Sequence, residues 1–309
     1  MTAEQIIHSV IRLLFTLSGV FFITFLVMAF IPGNPVFSKI DRGLSQEELL
    51  EYSQEYDLRQ NLSQKLFVYV KRLITLDFGK SLISGEDISR ELWQRCRNTL
   101  KLAFVGMALF VLLGLGCGIV GAIYSGQWPD LLLRLLTSLL ISTPVFWFGL
   151  VLMLFFAVYL SWFMPTGTDG WRALILPGLT VGLRPAAFLQ RVTQTGLMQV
   201  FEQQYIQVAF AKGLTRFEVL LRHALSNALI PIITVVGVEF SSLLTGAVVA
   251  EIIFSYKGIG TYILQGIEAR DYNVIMATVL VTCVAVSLTN FILELIYRPH
   301  ILKMIGLWL

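Results

Sequence analysis

The chain has 309 residues, 56% hydrophobic and only 14% charged, with a formal net charge of +3. Average soluble domains carry about 25% charged residues, so a water-soluble globule is excluded. The small basic surplus is spread over loops and leaves no footprint for nucleic acid.

A membrane-spanning helix needs about 20 predominantly apolar residues, and the chain holds six such runs. The first, Ser9–Ile31, is too long for a signal-peptide core and no small-residue cleavage site follows it, so a retained span is expected. Residues 32–98 carry interspersed, nearly balanced charges, with a Glu- and Leu-rich stretch at Leu44–Tyr56 and an amphipathic candidate at Phe67–Leu76. They are expected to form a small, mostly helical extracytoplasmic subdomain. The second span is expected at Thr99–Ile123, where Gly114, Gly116, Gly118 and Gly121 give a small face for close helix packing. The third covers Leu131–Phe163, long enough to tilt or to extend beyond the lipid. The fourth, Ala173–Met198, carries Pro177, Arg184, Pro185 and Arg191, and a helix broken at Pro185 would free carbonyls and admit water. The fifth, Ala228–Phe254, has a second small face in Gly237, Ser241, Ser242, Gly246 and Ala247, and the sixth is Val274–Tyr297. The fold class is therefore an all-α polytopic membrane protein, with residues 99–309 as a five-helix core.

Between the fourth and fifth spans lies a polar stretch, Val200–Asn227, that suits a short helix–turn–helix outside the lipid. Tyr205, Val208, Ala209 and Ala211–Lys212 make one helical run, and Gly213 supplies a left-handed stop. Thr215 can cap the next helix, with Glu218 three positions on as its capping-box partner. The loop's Lys212, Arg216, Arg222 and His223, the tail's Arg298, His300 and Lys303, and Arg12 near the start put this hairpin and both termini in the cytoplasm. The opposite Trp162–Arg172 loop holds only Arg172 as a base, which agrees.

An ionisable group inside a span is a functional hypothesis by default, because isolated burial is expensive. Arg184, Glu239 and Glu251 are the deepest, and the first two either line a water-filled pathway or pair with another helix or a partner subunit. Glu251, nearer the outer end, is expected to anchor the Gly258–Gly260 loop. Cys96, Cys117 and Cys283 are far apart, with neither a disulfide framework nor a zinc spacing. The histidines, His8, His223 and His300, all fall on the cytoplasmic side, so no metal site is expected in the pathway. There is no Gly-x-x-x-x-Gly-Lys-Ser/Thr phosphate loop, so the chain is not itself an ATPase. Neither a His-Glu-x-x-His pair nor a nucleophile elbow appears, and no enzyme activity is expected.

Ala209-x-Ala211-Lys212-Gly213-Leu214, followed by Arg222-His223-Ala224-Leu225-x-Asn227-Ala228-Leu229-Ile230-Pro231, resembles the coupling loop of ABC importer permeases. Within these it is similar to the dipeptide/oligopeptide/nickel branch, and to the first of that branch's two permeases. The wider family begins this loop Glu-Ala-Ala, where this chain has Gln207, Val208 and Ala209. Pro32-Gly33-Asn34-Pro35, Tyr56-Asp57-Leu58, Tyr69, Leu76-Asp77-Phe78-Gly79-Lys80-Ser81, Pro165-Thr166-Gly167 and Leu176-Pro177 are similar to further family stretches. So are Glu251-x-x-Phe254-Ser255-Tyr256-Lys257-Gly258-Ile259-Gly260 and Ala269-Arg270-Asp271-Tyr272. Two departures stand out: Tyr256-Lys257 in place of Trp-Pro, and Tyr297-Arg298-Pro299-His300 in place of Asp-Pro-Arg.

The resemblance implies one half of a transport pathway in a bacterial inner membrane. Its partners would be a second homologous permease, two cytosolic ATPases that use ATP, and an external solute-binding protein. No cofactor would be bound by this chain directly. Gln207, Ala209, Ala211, Lys212, Gly213 and Arg216 would form the ATPase-coupling loop. The cargo class would be peptides, glutathione, haem, or nickel and metal-chelate solutes. A secondary transporter driven by an ion gradient is the alternative, and would prefer paired broken spans with internal pseudo-symmetry. In the sequence only the fourth span looks broken, and no repeat is visible.

Overall fold

The structure is a computed structural model that describes residues 3–30, 64, 66–67, 70–71, 75–167 and 170–305. The side chains of residues 3–8, 27–30, 210, 216, 223, 230, 244–246 and 294–305 lie outside that description. So do the expected motifs at Pro32–Pro35, Tyr56–Leu58 and Tyr69, and most of the expected extracytoplasmic subdomain. Among the described residues the architecture is helical, with a single isolated bridge between Lys80 and Asp87. Five helices are long and apolar enough to cross a membrane, and a sixth crossing is made if one bent pair counts as a span.

Helix α1 is Ala3–Phe30. Helix α2, Ile88–Ile123, begins at Ile88 and not at Thr99, where the apolar run starts. Its start is chemical: the Asp87 carboxylate accepts the backbone N–H of Arg90 at 3.0 Å, an N-cap that hydropathy does not register. The third apolar run is not one helix. It splits into α3, Trp128–Ser142, and α4, Val145–Leu152, which runs on as a π-helical segment Met153–Tyr159, and the two halves are bent by 112°. Pro144 makes the break, because a residue before proline is pushed out of the helical region. Thr143 accordingly sits at φ −87°, ψ 132°.

Helix α5, Arg172–Phe201, corrects the opposite expectation: it is continuous through both Pro177 and Pro185. A proline inside a helix loses one hydrogen bond and crowds the carbonyl four residues back, but packed neighbours can hold such a helix together. Here Leu176, Pro177, Gly178, Thr180, Val181, Gly182, Ala186, Ala187 and Leu189 are all buried. In α5 61% of the apolar window is buried, against 17–28% in the other unbroken spans, which makes it the central helix of its own unit. After it come α6, Gln204–Ala211, and α7, Arg216–Val219, which passes through a π turn Leu220–Ala224 into α8, Leu225–Ile253. Helices α9, Ile259–Ala269, and α10, Tyr272–Ile305, complete the chain.

Two compact units result, Met1–Thr99 with Lys257–Phe291, and Leu100–Tyr256 with Ile292–Leu309. In the first, Ile88, Leu92 and Cys96 pack with Tyr262, Val274 and Ala277, while Phe21 and Phe25 of α1 pack with Met276 and Leu280. Two of the sequence motifs meet there. The Ser81 hydroxyl donates to the buried Asp271 carboxylate at 2.6 Å, and the Asn273 amide donates to the Lys80 carbonyl at 3.1 Å.

In the second unit, α2 and α5 approach through glycines. A Cβ built on Gly118 would lie 2.5 Å from Cβ of Thr193, and one on Gly182 would lie 2.6 Å from the carbonyl oxygen of Gly106. Gly114 and Gly121 are similarly pressed against Leu189 and Gln194, whereas Gly116 has nothing within 4 Å. The small face expected in the second span therefore packs on α5 through Gly114, Gly118 and Gly121. Phe110, Ala122, Ala186, Leu189, Leu197, Leu220, Ala224, Ala228 and Ile232 fill one core, and a second collects around Leu152, Leu176, Leu243 and Phe254.

Candidate functional site

The Gln204–Ala224 hairpin follows from local chemistry. Helix α6 stops at Gly213, whose φ of 86° is left-handed and open to glycine without strain. The N–H of Leu214 then returns to the Ala209 carbonyl at 3.3 Å, the six-to-one bond of a Schellman end. The next helix opens on a complete capping box. Glu218 N–H donates to the Thr215 hydroxyl at 3.3 Å, while the Glu218 carboxylate accepts the Thr215 N–H and hydroxyl, both at 2.8 Å. Those two donors, the backbone N–H first, hold the Glu218 carboxyl below its ordinary range.

Ile206, Ala209 and Val219 form a buried seam inside the hairpin, packed against Val200, Phe201 and Leu214. Val200 and Phe201 also pack on the main core of α5, the π turn and α8, so the hairpin is seated on the foot of the fourth span. Asn227 adds a tie by donating to the Tyr205 hydroxyl at 3.0 Å. Of the residues named from sequence, Ala209 is buried in the seam, and Ala211, Lys212 and Gly213 are exposed around the turn. Gln207 is exposed and donates to the Phe201 carbonyl at 3.1 Å. The backbone of Arg216 opens α7, and its side chain is not among those described. The basic pattern of the sequence concealed an apolar surface: Tyr205, Val208, Phe217 and Leu221 are all exposed on the hairpin. Such a patch on an element outside the lipid suits a protein partner.

Inside the spans, Arg184 is exposed on α5 and Glu239 is half-buried on α8, within Coulombic range of each other. Glu251 is fully buried, and its carbonyl accepts the N–H of the equally buried Tyr256 at 2.7 Å.

A polar cluster that sequence reading passed over lies between α3 and α5. The buried Asp130 carboxylate accepts Arg134 Nε and Nη2 at 2.8 and 2.9 Å, the Gly126 N–H at 2.9 Å and Gln194 Nε2 at 2.7 Å. Beside it opens a cavity of about 560 Å³ lined by Arg134, Gln190, Arg191, Gln194, Gln199 and Glu202, among others. The available signal was the i,i+4 spacing of Asp130 with Arg134 and of Gln190 with Gln194. A search for charge in the membrane ignores the glutamines.

Residues 111–304 match the family described as binding-protein-dependent transport system inner membrane component. The chain is 33% identical over 294 residues to the glutathione transport system permease protein GsiC of Salmonella paratyphi A, covering 95% of this chain and 96% of that protein. The same permease of Escherichia coli K12 is 32% identical at the same coverage. Among solved structures, a chain of the inward-facing MetNI methionine ABC transporter superposes with a TM-score of 0.56 at 21% identity, covering 67% of this chain and 95% of that one.

Proposed function

We propose, for a chain that belongs to the family of inner membrane components of binding-protein-dependent transport systems, that it forms half of the pathway of an ATP-driven importer of small peptides. Membership places it among ABC importer permeases and displaces the gradient-driven alternative. Peptide-like cargo, with glutathione the nearest case and nickel or metal chelates as relatives of the branch, is supported by its similarity to glutathione permeases. A second permease would close the pathway, two ATPases would grip the pair from the cytoplasm, and a binding protein would deliver cargo from outside. The single observation that carries this reading is the capped hairpin, a rigid two-helix knob with an exposed apolar face seated on the foot of α5. ATP-driven closure of the ATPases pushes that knob, and the spans exchange between inward- and outward-facing states. A cysteine crosslink from Val208 to the ATPase in assembled complexes tests it, and its absence would remove the docking assignment.

The orientation gives a separate expectation. With the hairpin cytoplasmic, cysteines at Gln60 and at the exposed Glu86 should react with an impermeant maleimide from outside intact cells or spheroplasts. Labelling only after the membrane is opened would invert the topology.

Arg184 and Glu239 are proposed to face a wet interior and not lipid, where isolated charge is expensive. Arg184→Ala and Glu239→Ala should each lower transport several-fold while assembly and basal ATP hydrolysis stay near wild type. Loss of assembled complex in both would identify a structural pair.

A further inference from the structure

We infer that Asp130 and Gln194 are positioning residues for coupling: they clamp α3 to α5, so that a push on the hairpin reaches the broken third span through one rigid body. The inference rests on the hairpin being the ATPase-docking element.

The observations begin with the faces of α3. Its leucines at 131, 132, 135, 136 and 139 are exposed, and the residues it buries are Asp130 and Thr137. In lipid, apolar side chains cannot choose between a helix and an acyl chain, so polar contacts and close packing must fix the orientation. Here the contact face toward α5 is polar. The Thr137 hydroxyl donates to Gln190 Oε1 at 2.8 Å, Gln190 Nε2 donates to Gln194 Oε1 at 2.7 Å, and Gln194 Nε2 donates to Asp130 Oδ1 at 2.7 Å. The remaining Gln194 proton goes to the Gly121 carbonyl at 3.1 Å, which adds the end of α2. Asp130, Thr137, Gln190 and Gln194 are each less than 7% exposed, so these bonds are largely shielded.

The chain of contacts is continuous. The hairpin seam packs on Val200 and Phe201, these belong to α5, α5 holds α3 through the clamp, and α3 leads through Pro144 into α4. A hairpin displacement would therefore move α3 with α5 and leave the Pro144 elbow as the place where the third span can bend.

The test uses the assembled complex with Cys96, Cys117 and Cys283 replaced and spin labels at Leu135→Cys on α3 and Gln199→Cys on α5, both exposed sites. Wild type should give one Leu135–Gln199 distance, the same without nucleotide and in the vanadate-trapped state. Gln194→Leu removes the central link and should make that distance broad or state-dependent. Transport per ATP should fall about tenfold while basal hydrolysis stays within twofold. Arg134→Lys, which keeps a cation beside the buried Asp130 and leaves its bonds to Gly126 and Gln194 in place, should stay within twofold of wild type in both readouts. Thr137→Val, which is isosteric, cuts one outer link and should give a smaller change in the same direction, and serves if Gln194→Leu does not assemble. A wild-type distance that shifts with nucleotide overturns the clamp. So does a link-cutting variant, Gln194→Leu or its substitute, with wild-type distance and coupling, or an Arg134→Lys as damaging as Gln194→Leu. Failure of the docking reading shows separately, as a missing Val208 crosslink with an unchanged Leu135–Gln199 distance.

Discussion

Gly118→Val should prevent assembly of the protein, whereas Gly116→Ala two positions away should not. Both glycines are on α2, and both read from sequence as parts of one small face. The added Cβ at Gly118 meets Thr193 Cβ at 2.5 Å, Thr193 Cγ2 at 2.8 Å and the Gln190 carbonyl oxygen at 3.0 Å. None of these is the far end of a flexible side chain, so the helices themselves must part. Overpacking of a tight core costs roughly 1–3 kcal/mol, and this site should fall at or above the upper figure because backbone is involved. Parting also threatens the Gln194 bond to the Gly121 carbonyl one turn on. At Gly116 the space is open, and alanine should gain up to about 1 kcal/mol of helix propensity. Yield and melting temperature of the detergent-solubilised chain would decide, and equal yields for the two variants would refute the close α2–α5 contact.

Gly213→Val should insert normally and still lose cargo-stimulated ATP hydrolysis and transport by tenfold or more. A Cβ added at this position would meet nothing within 4 Å, so sterics with neighbours are not the issue. The issue is φ of 86°, where a residue with a Cβ is strained by roughly 1–2 kcal/mol and a β-branched one by more. Asparagine tolerates that region, so Gly213→Asn should stay near wild type and Gly213→Ala should fall between. That order, Asn above Ala above Val, is the signature of a conformational requirement. If all three variants were equally active, the turn would have no part in coupling.

Those two glycines also mark what the sequence could and could not convey. The turn at Gly213 and the Thr215–Glu218 box were legible because capping is local: the residues that make the bonds lie within three or four positions of each other. The start of α2 was not, because Arg90, Glu91, Arg95 and Arg97 hide a helix from a hydropathy scan while Asp87 caps it. The proline signals were read in the wrong order of importance. Pro185 lies in a helix whose neighbours hold it, whereas Ser142-Thr143-Pro144 within the third apolar run carries the 112° bend, and its proline was passed over. Arg184 and Glu239 were found because they are charged. The Asp130–Gln194–Gln190–Thr137 chain was not, since its meaning depends on which helices meet and neutral amides carry no warning in a list of charges.

Helix α2 has one more consequence, and it concerns bilayer thickness. Its charged first turns end at Lys101, and the uncharged stretch Leu102–Ile123 rises about 33 Å at about 1.5 Å per residue. That is close to the roughly 30 Å of an average hydrocarbon layer, reached with a modest tilt. Lys101 and Tyr124 bracket it like the marks on a gauge. Because α2 is pressed glycine to backbone against α5, it cannot tilt alone in a membrane of another depth, and the helices packed on it must tip together. Acyl-chain length is therefore a mechanical variable for this permease, and reconstitution in short- or long-chain lipids loads the same joints that ATP is meant to move.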